Sequence, residues 1–208
     1  MLEALTGTGL AASAGLNAYI PLLTMGLLAR YTDLIELPDG WQWISGGWAV
    51  GILVVLLAVE VVADKIPVVD HVNDVVQTVV RPTAGGLAFG AGSSSQTVTV
   101  SDPGSFFGSH QWAPVAAGVL IALCVHGVKA VSRPVVNAST AGLGAPVAST
   151  VEDIGSVLLS LLAIMLPVLV LLGLALTMLG GWWAIRRRRR RKRERQPVEG
   201  VATERLFG

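Results

Sequence analysis

The sequence predicts an all-α fold: a polytopic transmembrane helix bundle with four clear spans, broken or re-entrant helical segments and an internal repeat. Three observations point to it. The 208 residues are 52% apolar but only 14% charged, with a mean hydropathy of +0.64, above what an ordinary soluble domain shows. Several windows stay apolar for the ~20 residues that a ~30 Å bilayer core requires at 1.5 Å per residue. Clusters of Gly, Pro and charged residues separate those windows.

The first span is expected from about Ala4 to Leu28, a stretch rich in small residues that let helices approach closely in lipid. Asn17, Tyr19 and Pro21 lie near its middle. Ala12-Ser13-Ala14 has the form of a signal-peptidase site, but Glu3 stands where a basic n-region would be, so the helix is expected to be retained. A polar loop with Asp33, Glu36 and Asp39 leads to Trp41, Trp43 and Trp48, indoles suited to a membrane interface. The second span, about Gly46 to Ala63, follows and ends at Asp64-Lys65-Ile66-Pro67, where proline disfavours a helical residue before it.

From Asp70 the polar positions Asp70, Asp74, Gln77 and Arg81 step by four, three and four, which places them on one helical face. Pro82 and Gly85-Gly86 then predict an interruption, hence a broken or re-entrant helix pair. The segment Ser93 to His110 reads as a solvent loop. A third span from Trp112 to Val131 ends in a second polar stripe, His126, Lys129, Arg133, Asn137 and Thr140, with a local break expected at Pro134. Ser149-Thr150-Val151-Glu152 has capping-box spacing, so Glu152 and Asp153 are expected at the start of a last helix that runs to about Ile185 and bends at Pro167. Depending on whether the interrupted segments cross, the full spans number four to six.

Two domains follow: a transmembrane domain over 1–185 and a basic, disordered tail over 186–208. The tail carries ten of the 15 Lys and Arg, beginning with Arg186, Arg187, Arg188, Arg189, Arg190, Arg191, Lys192 and Arg193. That run, directly after Trp182-Trp183, predicts a cytoplasmic C-terminus that contacts anionic lipid headgroups in the plasma membrane, not nucleic acid. The body is left with five basic and 11 acidic residues. The single cysteine, Cys124, excludes an internal disulfide and reads as apolar filler.

A pattern also recurs. Trp48-Ala49 opens a helix ending in Glu60, Asp64 and Lys65, and Trp112-Ala113 opens one ending in His126 and Lys129; Arg81-Pro82 and Arg133-Pro134 continue the parallel. Duplicated halves with interrupted helices are a transporter architecture.

The segment Gly15-Leu16-Asn17-Ala18-Tyr19-Ile20-Pro21-Leu22-Leu23, with Glu60, Ala63-Asp64-Lys65-Ile66-Pro67 and Asp70-His71, resembles a bacterial integral membrane family known as domain of unknown function 4126. The resemblance covers roughly residues 5 to 180. It implies a membrane-embedded helical fold and no established activity.

Candidate residues for a solute or ion path are Asn17, Tyr19, Glu60, Asp64, Lys65, Asp70, His71, Asp74, Arg81, His126, Lys129 and Arg133. Glu60 lies twelve residues past Trp48, about 18 Å into the bilayer, where a carboxylate is either functional or paired with His126 or Lys129. His126 is a second ionisable group at the corresponding depth, a proton relay or a packing histidine. Asp64, Asp70, His71 and Asp74 offer oxygen and nitrogen ligands to a divalent ion, or else form a solvated face. Arg81 and Arg133 bind phosphate or carboxylate groups, or snorkel to lipid.

The leading expectation is a small-solute or ion transporter or channel, with a non-catalytic scaffold or lipid-binding protein as the alternative and a homo-oligomer left open. An intramembrane lipid-phosphate enzyme stands third, for no nucleophile motif or phosphate loop is present. No enzyme activity, catalytic residue, cofactor or bound metal is expected.

Overall fold

The computed structural model describes residues 2–64, 67–93, 112–140, 144–167 and 169; of 67–72, 74 and 137 it describes the backbone alone. Among these residues all regular structure is helical. Six α-helices follow in order: α1 (Leu2–Leu16), α2 (Tyr19–Tyr31), α3 (Gly47–Ala63), α4 (Pro67–Gly92), α5 (Trp112–Thr140) and α6 (Gly144–Met165), with a 3₁₀ helix (Asp39–Ser45) between α2 and α3. The expected loop Ser93 to His110 apart from Ser93 itself, the end of the last helix, its Trp182-Trp183 pair and the basic tail from Arg186 lie outside the described residues.

The expected single first span is two helices. The chain leaves the helix at Asn17-Ala18, and the Asn17 side chain stabilises the restart, its Oδ1 accepting the amides of Tyr19 at 3.1 Å and Ile20 at 3.2 Å. Pro21 then falls in the first turn of α2, where a missing N–H is of no consequence because first-turn amides have no partner within the helix.

The expected breaks at Pro82, Gly85-Gly86 and Pro134 are absent. α4 runs unbroken for 26 residues, about 39 Å, and α5 for 29, about 44 Å, each with its proline inside. The glycines of α4 serve contact instead. A Cβ on Gly85 would meet the Cβ of Ala122, one on Gly118 would meet the Gly85 carbonyl, and one on Gly86 would lie 2.9 Å from Val119. The two backbones therefore pack directly against each other, in the small-residue manner of helices in lipid. Neighbouring helices make a proline inside a helix tolerable in that setting.

α1 lies at the centre, packed on α4, α5 and α6, while α2 packs on α3, α6 and the 3₁₀ helix. The seam between α1 and α6 is made of hydroxyl groups. Ser13 Oγ lies 2.7 Å from both Ser156 Oγ and Ser160 Oγ and reaches the Ser156 carbonyl at 2.8 Å, all fully buried. α6 begins five residues before Ser149, so the expected capping box is not a cap; Glu152 and Asp153 sit well inside the helix.

Of the three indoles expected at an interface, Trp41 is buried, whereas Trp43 and Trp48 are exposed and stacked with centroids 6.2 Å apart. Cys124 is exposed, not packed as filler. The expected repeat is not reproduced in the elements: the Trp48 helix stops at Ala63 and α4 starts anew at Pro67, whereas the Trp112 helix continues through Arg133-Pro134.

The distribution of side chains is inside out. On α4, Gln77 and Arg81 are buried while Val75, Val76 and Val79 face outward; on α5, His126, Lys129 and Arg133 are buried while Leu120, Val128 and Val131 are exposed. Arg81 is 0% exposed and Val131 75%. In water this arrangement would be unstable twice over, since charges lose hydration and valines gain it. It is the arrangement a lipid exterior favours. By length and composition α5 and α6 can each cross a membrane, and the 3₁₀ helix with α3, bent by 58°, makes a third candidate.

Candidate functional site: a buried ionic network

Each helix supplies its polar residues at helical spacing. Glu60 and Asp64 stand one turn apart at the end of α3; Gln77 and Arg81 one turn apart on α4; His126, Lys129 and Arg133 step by three and four along α5. All seven are at least 96% buried. Glu152 and Asp153 of α6 are half-buried beside them. Of the body's five basic residues, Arg30, Lys65, Arg81, Lys129 and Arg133, three are thus in this one cluster.

Arg81 Nη2 donates to Glu60 Oε1 at 2.9 Å and stands 3.9 Å from Asp64 Oδ2. Its Nη1 lies 3.2 Å from His126 Nδ1, and His126 Nε2 lies 3.2 Å from the Thr78 hydroxyl. A guanidinium only donates, so its contact assigns Nδ1 as the acceptor and places the ring proton on Nε2 toward Thr78. Glu60 therefore pairs with Arg81, not with His126 or Lys129 as expected.

Beyond Arg81 the charges close into a ring. Asp64 Oδ2 lies 3.5 Å from Lys129 Nζ and 3.3 Å from Arg133 Nη2; Glu152 Oε2 lies 2.8 Å from each. The ring alternates anion and cation around all four corners. Asn73 adds a 2.8 Å hydrogen bond to Asp64 Oδ1.

This ring abuts the helix break. Lys129 Nζ also donates to the Leu16 carbonyl at 3.3 Å, one of the last carbonyls of α1, and Asn17 Nδ2 donates to Asp153 Oδ1 at 2.9 Å. Tyr19, the first residue of α2, is half-buried against Gln77.

Arg81 and Arg133 are buried ion-pair partners, so neither snorkels to a lipid surface. Buried arginines demand carboxylate neighbours, and bidentate-capable guanidinium groups suit such sites. The side chains of Asp70, His71, Asp74 and Asn137, and all of Lys65, lie outside the described residues, and with them most of the expected divalent-ion site. Among the described residues no three His, Cys, Asp or Glu side chains converge to hold a metal ion. Surface hollows of about 290 Å³, around Leu10 and Met25, and 580 Å³, around Arg30 and Asp39, contain none of the network residues.

Residues that sequence reasoning passed over are Glu152 and Asp153, assigned to a cap, together with Ser13, Asn73, Ser156 and Ser160. The i, i+3, i+4 spacing of Glu152 or Asp153 with Ser149, Ser156 and Ser160 was the available signal.

Among the described residues, four carboxylates (Glu60, Asp64, Glu152, Asp153) and three cations (Arg81, Lys129, Arg133) meet in this cluster. Three buried atoms there, Glu60 Oε2, Gln77 Oε1 and Arg81 Nε, have no hydrogen-bond partner.

An apolar-faced helical bundle with an ionic interior is compatible with a membrane protein. The chain belongs to the family described as domain of unknown function (DUF4126), whose model matches residues 4–187. No curated protein and no solved structure matches it.

Proposed function

We propose that the protein is a multi-pass plasma-membrane protein that moves a small solute or ion through its interior. One observation carries this reading: a continuous chain of ionisable and polar groups, Thr78, His126, Arg81, Glu60, Asp64, Lys129, Arg133 and Glu152, joins four helices and reaches the break at Asn17. Ionisable groups within a membrane bundle mark ion and proton paths, and interrupted helices place backbone carbonyls and amides at such sites. Among the described residues, the one interruption that meets the path is at Leu16–Tyr19, so the path runs along the unbroken α4 after Pro67 and adjoins the α1–α2 break, not the segment after Pro134. Glu60 is the group that changes charge, with His126 joined to it through Arg81. The C-terminal run from Arg186 to Arg193 is on the cytoplasmic side against anionic lipid, and the bundle crosses the membrane four to six times.

The test uses liposomes of phosphatidylethanolamine and phosphatidylglycerol loaded with a fluorescent pH indicator. Wild-type protein is expected to dissipate an imposed pH gradient, with a potassium ionophore present, faster than protein-free liposomes, and Glu60→Gln, less stable but still folded, to return the rate to background. Equal rates with and without wild-type protein would remove the proton as the moving species and Glu60 as its carrier.

The alternating ring at Asp64, Lys129, Glu152 and Arg133 favours a second reading, a non-catalytic scaffold in which charge pairing holds four helices together. In that case Glu60→Gln changes stability alone, and neither it nor the wild-type protein moves protons.

A further inference from the structure

The ammonium of Lys129 has a cation-site environment of its own. Its Nζ, on a side chain 3% exposed, is surrounded by Glu152 Oε2 at 2.8 Å, the Leu16 carbonyl oxygen at 3.3 Å and Asp64 Oδ2 at 3.5 Å. The donor set comes from three different elements: a carboxylate on α6, a carboxylate at the end of α3 and a helix-terminal carbonyl at the α1–α2 break. The last is a natural cation ligand, because carbonyls in the final turn of a helix have no amide partner and sit at the negative end of its dipole. We propose that Asp64, Glu152 and the Leu16 carbonyl form a binding site for a large monovalent cation of the potassium or ammonium class, and that Lys129 is its tethered occupant.

The number of oxygens and the charge of the present occupant set the ligand class. Calcium takes about six to eight oxygen ligands and magnesium a near-ideal octahedron, whereas this site offers three oxygens around a singly charged ammonium. It suits a weakly hydrated, singly charged ion. Electrostatics agree. With Lys129 in place the ring itself is two anions against two cations; without its charge, Glu152 keeps Arg133 and Asp64 keeps Arg133 with Arg81 at 3.9 Å, so the ring has lost one positive charge and one external positive charge replaces it. The inference holds whether or not the protein transports anything, since it concerns the affinity of a site and not a flux.

The consequence for the native chain is that it needs no ambient cation to complete its interior. A monovalent ion gains access only when the Lys129 side chain withdraws, so the lysine is the competitor of any cation that reaches the break.

The experiment follows the melting temperature of purified full-length protein in detergent at constant ionic strength, exchanging choline chloride for potassium, ammonium or magnesium chloride. Wild type is expected to melt at the same temperature in choline and potassium. Lys129→Met is expected to melt lower in choline and to recover, saturably, in potassium or ammonium but not in magnesium; Lys129→Met with Glu152→Gln is expected to lose that recovery. Where Lys129→Met fails to fold in choline, refolding in potassium counts for the proposal and failure in both salts counts against it. A folded Lys129→Met whose melting temperature is the same in choline, potassium and ammonium overturns it.

Discussion

Replacing Arg81 with Met tests how much of the bundle's stability rests on its charged interior. The substitution removes the only cation within 4 Å of Glu60 among the described residues, together with the hydrogen bond to His126. Asp64 is less affected, because Lys129 and Arg133 remain at 3.5 and 3.3 Å. A single buried carboxylate is thus stranded, and breaking one partner of such a pair costs about 3–5 kcal/mol. Glu60→Gln keeps volume and an acceptor oxygen for Arg81, so its cost is about 1–3 kcal/mol. In Arg81→Met with Glu60→Gln the stranded charge is gone, and the loss falls below the sum of the two singles by about 1–3 kcal/mol. Reversible unfolding in mixed micelles, followed by tryptophan fluorescence, gives all three values. Losses that add to within about 0.5 kcal/mol would refute a direct Glu60–Arg81 interaction.

Further substitutions probe other joints. Gly118→Val should prevent close packing of α4 on α5, because its Cβ would run into the Gly85 carbonyl and the Phe89 Cβ at 2.5 Å; folded yield after membrane extraction reads this, and normal yield would contradict the contact. Ser149 Oγ is buried without a partner, so Ser149→Ala should be neutral or stabilising, whereas Ser13→Ala, which removes bonds to Ser156 and Ser160, should cost about 1 kcal/mol or more in the same unfolding assay. Equal effects at the two serines would argue against the hydroxyl seam. Asn17→Ala should cost about 1 kcal/mol through loss of its bonds to the Tyr19 and Ile20 amides, and more through loss of its bond to Asp153. Cys124, exposed on α5, should resist a charged maleimide in intact membranes and react with it once the protein is unfolded in denaturant, because the thiolate is the nucleophile and hydrocarbon keeps the thiol protonated; rapid charged-reagent labelling in intact membranes would place it in water.

The helical fold class and the polar faces of α4 and α5 were legible from spacing, because a helix in lipid hides its polar side and spacing alone reveals which residues share it. Which side faced inward, and which charge met which, was not. Arg81 and Glu60 are 21 residues apart and Ser13 and Ser156 are 143 apart, and such pairings follow from how helices cross. The interruptions misled for a physical reason. Pro82 and Gly85-Gly86 break helices in water, but against α5 the glycines are needed for backbone contact and lipid leaves the chain no other partner for its amides. The true break at Asn17-Ala18 has a subtler signature, an asparagine four residues before a proline, which is a helix start written inside an apolar run. Glu152 and Asp153 were missed because a capping-box spacing recurs wherever a Thr or Ser precedes an acid on a helix.

The central claim is that the charged faces point inward and the valine faces meet lipid. Nitroxide labels placed singly at Val76, Val79, Val128 and Val131, in a Cys124→Ser background reconstituted in bilayers, test it by electron paramagnetic resonance. All four positions are strongly exposed on α4 and α5. Their relaxation should be enhanced by oxygen, which concentrates in the hydrocarbon, and little by a water-soluble nickel complex. Stronger enhancement by nickel than by oxygen at these valines would place them in water and contradict a lipid-solvated bundle with an ionic interior.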